Sequence, residues 1–112
     1  MTAEAIAYGA LSGLVNGNVF PDVAPAATVA PWITYQAAGG QDFTNLDNTS
    51  TPLNSRMQVT VWATTRSEAA AIMLQVRGAM LAVKAVPIGG AVSSFERDTL
   101  LYGSTLDFSI FY

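Results

Sequence analysis

Residues 54–81 read NSRMQVTVWATTRSEAAAIMLQVRGAML, and the hydrophobic period changes halfway along them. In the first half Met57, Val59, Val61 and Ala63 alternate with Arg56, Gln58, Thr60 and Trp62, the pattern of a half-buried strand. In the second half Ala69, Ile72, Met73, Val76, Ala79, Met80 and Val83 recur at three- and four-residue steps, one face of an amphipathic helix. Thr65 and Glu68 stand at capping-box spacing where the period switches, with Ser67 as a competing cap. A strand running directly into a helix restricts the fold to an architecture in which a sheet packs on helices.

The flanking sequence extends that frame. Residues 2–14 predict a short helix capped by Thr2, with Ala3, Ile6, Ala7, Ala10, Leu11 and Leu14 on its apolar side. Gly13 and Asn16-Gly17-Asn18 end it, Val19-Phe20 is briefly extended, and three prolines make residues 21–30 a loop. Residues 32–38 predict a strand with Trp32, Thr34 and Gln36 opposite Ile33, Tyr35 and Ala37. Pro87 and Gly89-Gly90 mark a turn after the helix. Residues 92–101 and 104–112 then predict two strands turning at Tyr102-Gly103. The expected fold is α+β: a mostly antiparallel four-stranded sheet packed against two helices, in the order α-β-β-α-β-β. At 112 residues this is a single domain.

Composition removes most chemistries. The chain has neither cysteine nor histidine, so thiolate zinc sites, cysteine nucleophiles and the commonest general base are absent. Five scattered basic residues and a net charge of −3 argue against binding nucleic acid through its phosphates. Only 12% of residues are charged, about half the usual share, which suits a subunit that buries surface against copies or partners. No basic-then-apolar leader opens the chain and no apolar run reaches the roughly 20 residues of a membrane span, so a soluble domain made inside the cell is expected.

The candidate chemical groups have plainer explanations. Asp22, Asp42 and Asp47 are oxygen ligands of the type calcium takes, but their spacing fits no EF-hand and loop Asp residues make turns. Glu96 and Asp98 would share a strand face with no catalytic partner in view. Neither Gly39-Gly40 nor Gly89-Gly90 has phosphate-loop spacing. Trp32, Tyr35 and Trp62 lack the basic setting of a base-stacking site and read as core or subunit-interface aromatics; Met73 and Met80 read as core. No catalytic residue, metal or cofactor is expected.

Taken together, the chain resembles the tail completion proteins, or tail terminators, of long-tailed bacteriophages, prophages and gene-transfer particles. The likeness runs in order through LSGLVNGNVFPDVAP, PWITYQ, TPLNSRMQVTVWATTRSEA, the helix AAAIMLQVRGAML, SFERD and the ending LYGSTLDFSIFY. The resemblance implies a structural virion protein, made in the host bacterial cytoplasm and forming a hexameric ring at the head-proximal end of the tail tube. Such a ring ends tube polymerisation and gives the head its joining surface. The implied partners are further copies of the chain, the major tail tube protein and a head-closure or connector protein. Double-stranded DNA passes through the lumen without specific binding, and no membrane is involved.

Three segments are the expected contact sites. The polar stretch 41–53 carries Asp42, Phe43, Asn45, Leu46 and Asp47 and suits a partner-facing loop. The C-terminal strand, ending in Phe111-Tyr112, offers an edge for pairing between neighbours. Tyr8 and the alanines of the first helix offer a third surface. A tail tube subunit or a connector adaptor, a small α+β ligand-binding or enzyme domain, and a monomeric domain without an assembly role are the alternatives.

Overall fold

The computed structural model describes residues 2–40 and 53–112. Helix α1 (Ala3–Leu11) begins at Thr2, whose Oγ1 accepts the Ala5 N–H at 3.0 Å. It buries Ala3, Ala7 and Leu11, one residue per turn on a single stripe. The helix ends one turn earlier than its apolar pattern suggests: a 3-10 turn at Val15–Gly17 follows, with Asn16 at φ 55°. Asparagine tolerates that left-handed backbone, so the chain can reverse there.

Five strands form one mixed sheet: β1 (Val19–Pro21), β2 (Trp32–Ala37), β3 (Asn54–Ala63), β4 (Val86–Glu96) and β5 (Leu101–Phe111). Their spatial order is β1-β2-β3-β5-β4. Helix α2 (Arg66–Ala82) connects β3 to β4. The α+β class and the mostly antiparallel pairing are as expected, but the sheet has five strands where four were expected. Val19–Pro21 is a strand in its own right and runs parallel to β2, pairing Val19 with Ile33 and Pro21 with Tyr35. Three residues are too few to show a period of two, which hid this strand in the sequence.

Two further boundaries differ. Strand β4 starts at Val86, so Pro87 lies inside a strand and Gly89-Gly90 is not a hairpin turn. Proline is tolerated because β4 is an edge strand. The glycines form a bulge: Gly89, Gly90 and Ala91 stand opposite the single residue Leu106, between the pairs Ile88–Asp107 and Val92–Thr105. Gly89 has φ 75°, a backbone that glycine adopts without strain. The β4–β5 turn falls at residues 97–100, not at Tyr102-Gly103, which lie within β5.

Thr65 caps α2 as its spacing predicts, its Oγ1 accepting the Glu68 N–H at 3.1 Å. The Glu68 carboxylate reaches one residue further back than in a standard capping box and accepts the Thr64 N–H at 3.3 Å. Ala69, Ile72, Met73, Val76 and Met80 face inward from this helix.

Both helices cover the same side of the sheet. Ser55, Met57, Val59, Val61 and Ala63 on β3 and Ser104, Leu106, Phe108 and Ile110 on β5 are buried beneath them. The residues between them point to the opposite side, where no described element packs. Among the described residues the sheet therefore has one sealed face and one bare face.

Candidate functional site

The bare face is a ladder of cross-strand pairs. Trp32 on β2 is in register with Trp62 on β3, Thr34 with Thr60, and Gln36 with Gln58. The Gln36 amide Nε2 donates to Gln58 Oε1 at 3.2 Å, and the Thr60 and Thr105 hydroxyls lie 3.2 Å apart. Arg56 Nε donates to Asp107 Oδ2 at 2.6 Å, the one ion pair among the described residues. Asn54 Nδ2 donates to Ser109 Oγ at 2.8 Å. Cross-strand contacts of this kind stabilise a sheet by about 0.2–1 kcal/mol each. The centre of the face is thus hydroxyls and amides around one neutralised charge pair.

At one end of this face the two tryptophans form a cleft. It has a volume of about 260 Å³, and Asp22, Val23, Ala24, Thr34, Glu96 and Thr99 complete its walls. The Trp62 indole lies against Gly103, its partner in register on β5. A Cβ added to Gly103 would stand 2.8 and 3.0 Å from the benzo carbons of that ring, closer than real contacts allow. Gly103, read from sequence as part of a turn, instead seats an aromatic side chain.

Strand β4 forms one border of the sheet. None of its residues is buried, and Val86, Ile88, Val92 and Phe95 leave substantial apolar area in solvent. Eleven residues at ~3.3 Å each give an edge about 36 Å long, on whose outer side no described strand pairs. The bulge at Gly89–Gly90 opens a groove of about 400 Å³ towards α2, lined by Met73, Leu74 and Leu106, with Arg77 at its side.

The expected contact residues fall in separate places. Tyr8 is half-exposed on α1, and its ring lies 6.4 Å from that of Tyr35. Burial pushes the Tyr35 phenol above its usual 10.0, helped by Glu4, Tyr8 and Asp22. Phe111 and Tyr112 are exposed at the end of β5. However, β5 lies between β3 and β4, and the Tyr112 and Leu53 backbones exchange hydrogen bonds of 2.9 and 3.1 Å. The C-terminal strand therefore lies inside the sheet; among the described strands the edges are β1 and β4. Asp42, Phe43, Asn45, Leu46 and Asp47 lie outside the described residues.

Glu96 ends β4 while Asp98 lies in the following turn, so the two carboxylates do not share a strand face as their spacing suggested. Among the described residues no group of acidic side chains is placed to hold a metal, and no helix is long and apolar enough to cross a membrane. The cleft of tryptophans and carboxylates was missed from sequence, although the alternation already placed Trp32 with Thr34 and Gln36, and Trp62 with Gln58 and Thr60. Two tryptophans on polar strand faces were the available signal.

A family model described as tail completion protein gp17 matches residues 1–112. Among solved structures, a chain of the "Virion of native gene transfer agent (GTA) particle" matches with a TM-score of 0.54. The match covers 97% of this chain and 92% of that chain, at 16% identity, and is a likeness of fold. No curated protein matches the chain. The resemblance read from the sequence is borne out: the chain belongs to the tail completion protein gp17 family and is a structural protein of the phage tail.

Proposed function

We propose that the chain is a tail terminator: copies of it form a closed hexameric ring at the head-proximal end of the tail tube, end tube growth and present the surface that the head connector joins. The observation that carries this reading is the exposed border of the sheet. An apolar edge about 36 Å long is an aggregation hazard on a free monomer and a pairing surface in an assembly. The bare sheet face, unlike the helix-covered one, has no described element packed on it and can meet another protein. With 12% of residues charged, the chain has unusually little to desolvate at such contacts.

The partners in this reading are neighbouring copies, the major tail tube protein below and a head-closure protein above, with DNA passing through a lumen that does not bind it. Acidic subunits favour passage, because a negative lumen repels phosphates. The protein works by contact and does no catalysis. Tyr8, Phe111 and Tyr112 are exposed aromatics available to these contacts, and Asp42, Phe43, Asn45, Leu46 and Asp47 are assigned to a partner-facing segment.

Light scattering across protein concentration, followed by negative-stain imaging, tests the proposal. Discrete six-fold rings that cap one end of purified tail tubes are the expected result. Open-ended tubes formed by the protein alone would identify a tube subunit instead. A protein that neither associates nor caps tubes would refute the terminator role.

A further inference from the structure

We propose that the Trp32–Trp62 cleft receives the guanidinium of Arg77 from the next copy of the chain, in a head-to-tail contact; this inference rests on the ring reading above. The cleft combines two indoles with two carboxylates, Asp22 and Glu96, that arrive from different elements. Aromatic faces attract cations, and a guanidinium stacks on them and is weakly hydrated, so it loses little on leaving water. Neither carboxylate makes a side-chain hydrogen bond or ion pair among the described residues, and neighbouring Arg97 pairs with neither. At about 260 Å³ the cleft is below the ~300–1,000 Å³ usual for small-molecule sites, which favours a single side chain as occupant.

Arg77 has the complementary setting. It is exposed on α2 and has no ion-pair partner among the described residues, three residues after Leu74 and four before Leu81. Leu74 is 72% exposed and Leu81 43%, so the cation sits within an apolar stripe that the helix does not use for its own core. Exposed Val23, with Ala24 beside it, lines the cleft and gives it a matching apolar contact. The other cations lack this setting: Arg66 begins the helix among Thr65 and Ser67, and Lys84 and Arg97 are in turns. Helix α2 covers the sealed side of the sheet while the cleft opens on the bare side, so Arg77 cannot enter the cleft of its own chain. A contact between two different surfaces of identical subunits is heterologous, the kind that generates rings.

Charge exchange tests the contact. Arg77→Glu, and separately Asp22→Lys with Glu96→Lys, should each weaken self-association at least ~30-fold, the scale for breaking a desolvated charge pair. All three positions are exposed, and unchanged circular dichroism and urea midpoints will verify folding. An equimolar mixture of the two variants should recover assembly, since every junction in an alternating ring is again oppositely charged. Either variant assembling like the unaltered protein, or a mixture that does not recover, overturns the contact. The cleft is tested without the ring by titrating N-acetylarginine amide and its uncharged analogue N-acetylcitrulline amide. Trp32 and Trp62 are the only tryptophans, so emission should respond to the first compound alone. Silence to arginine overturns the cleft whatever the ring does. A response from a protein that remains monomeric and caps no tube overturns the neighbouring copy as the source, and with it the ring reading.

Discussion

Replacing Gly103 by alanine should move one tryptophan and destabilise the fold through that movement. The new methyl would stand 2.6 Å from Ser94 Oγ and 2.8 and 3.0 Å from two benzo carbons of Trp62. The serine hydroxyl can rotate away, but the indole is a rigid plate whose β-strand backbone is paired on both sides. Relief requires the ring to tilt off the sheet or the two strands to separate. Inserting a methylene into a packed site costs about 1–3 kcal/mol, and the partial burial of Trp62 places this case in the lower half of that range. Gly103 has a backbone that L residues adopt, so sterics alone should set the loss. Urea unfolding should therefore show a loss of about 1–2 kcal/mol together with a shift in tryptophan emission. Trp62→Phe removes the benzo ring. In that background Gly103→Ala should cost less than ~0.5 kcal/mol, a coupling that a double-mutant cycle isolates. A single variant with unchanged stability and emission, or a cost that persists in the phenylalanine background, would refute the seating of Trp62 on Gly103.

Thr65→Ala removes the acceptor of the Glu68 N–H and should cost about 1 kcal/mol, read as a lower urea midpoint with the unfolding slope unchanged. Phe108→Ala empties a wholly buried position on β5 opposite Met57, and a loss of about 3–5 kcal/mol is expected by the same assay. Tyr35 makes stability depend on alkaline pH. Its phenol is raised by burial and by Glu4, Tyr8 and Asp22, so the unfolded chain loses this proton first. Stability is whole below pH 10.0 and falls as pH rises through that value and the folded one above it. Urea midpoints at pH 9 and 11 should diverge for the unaltered protein and less so for Tyr35→Phe.

How far the fold is legible from sequence depends on how many residues carry each signal. Residues 54–81 supply eight residues of alternation, a cap and sixteen residues of helical period, and β3 and α2 appear where that pattern puts them. Strand β1 has three residues, and its partner is chosen by tertiary pairing that no local period encodes. Gly89-Gly90 and Tyr102-Gly103 misled for a shared reason. Glycine marks any place where a side chain is unwelcome, and a turn, a bulge and a seat for an indole all qualify. The cleft was half legible. Alternation put both tryptophans on polar strand faces, but the register aligning Trp32 with Trp62 is set across a connection of sixteen residues, between Ala37 and Asn54.

The proposed contact surfaces also bear on closure. Edge β4 and the outer stripe of α2 meet at the groove beside the bulge, and the tryptophan cleft opens on the other face of the sheet. An isologous dimer uses one surface twice and would leave the others uncovered. Contacts that join unlike surfaces leave one of each free at the ends of any open chain, so association continues until the chain closes or something stops it. Whether it closes is decided by the angle at each contact, not by its chemistry. The bulge opposite Leu106 is where such an angle can be set, because it bends β4 midway along the edge available to a neighbour. Pro87 at one end of that edge removes a backbone donor, which restricts the registers in which a second strand can pair. A straight, regular edge would accept many neighbours in many registers. One bent by a glycine bulge and interrupted by proline favours a single geometry, the property that a finite ring requires and an aggregate lacks.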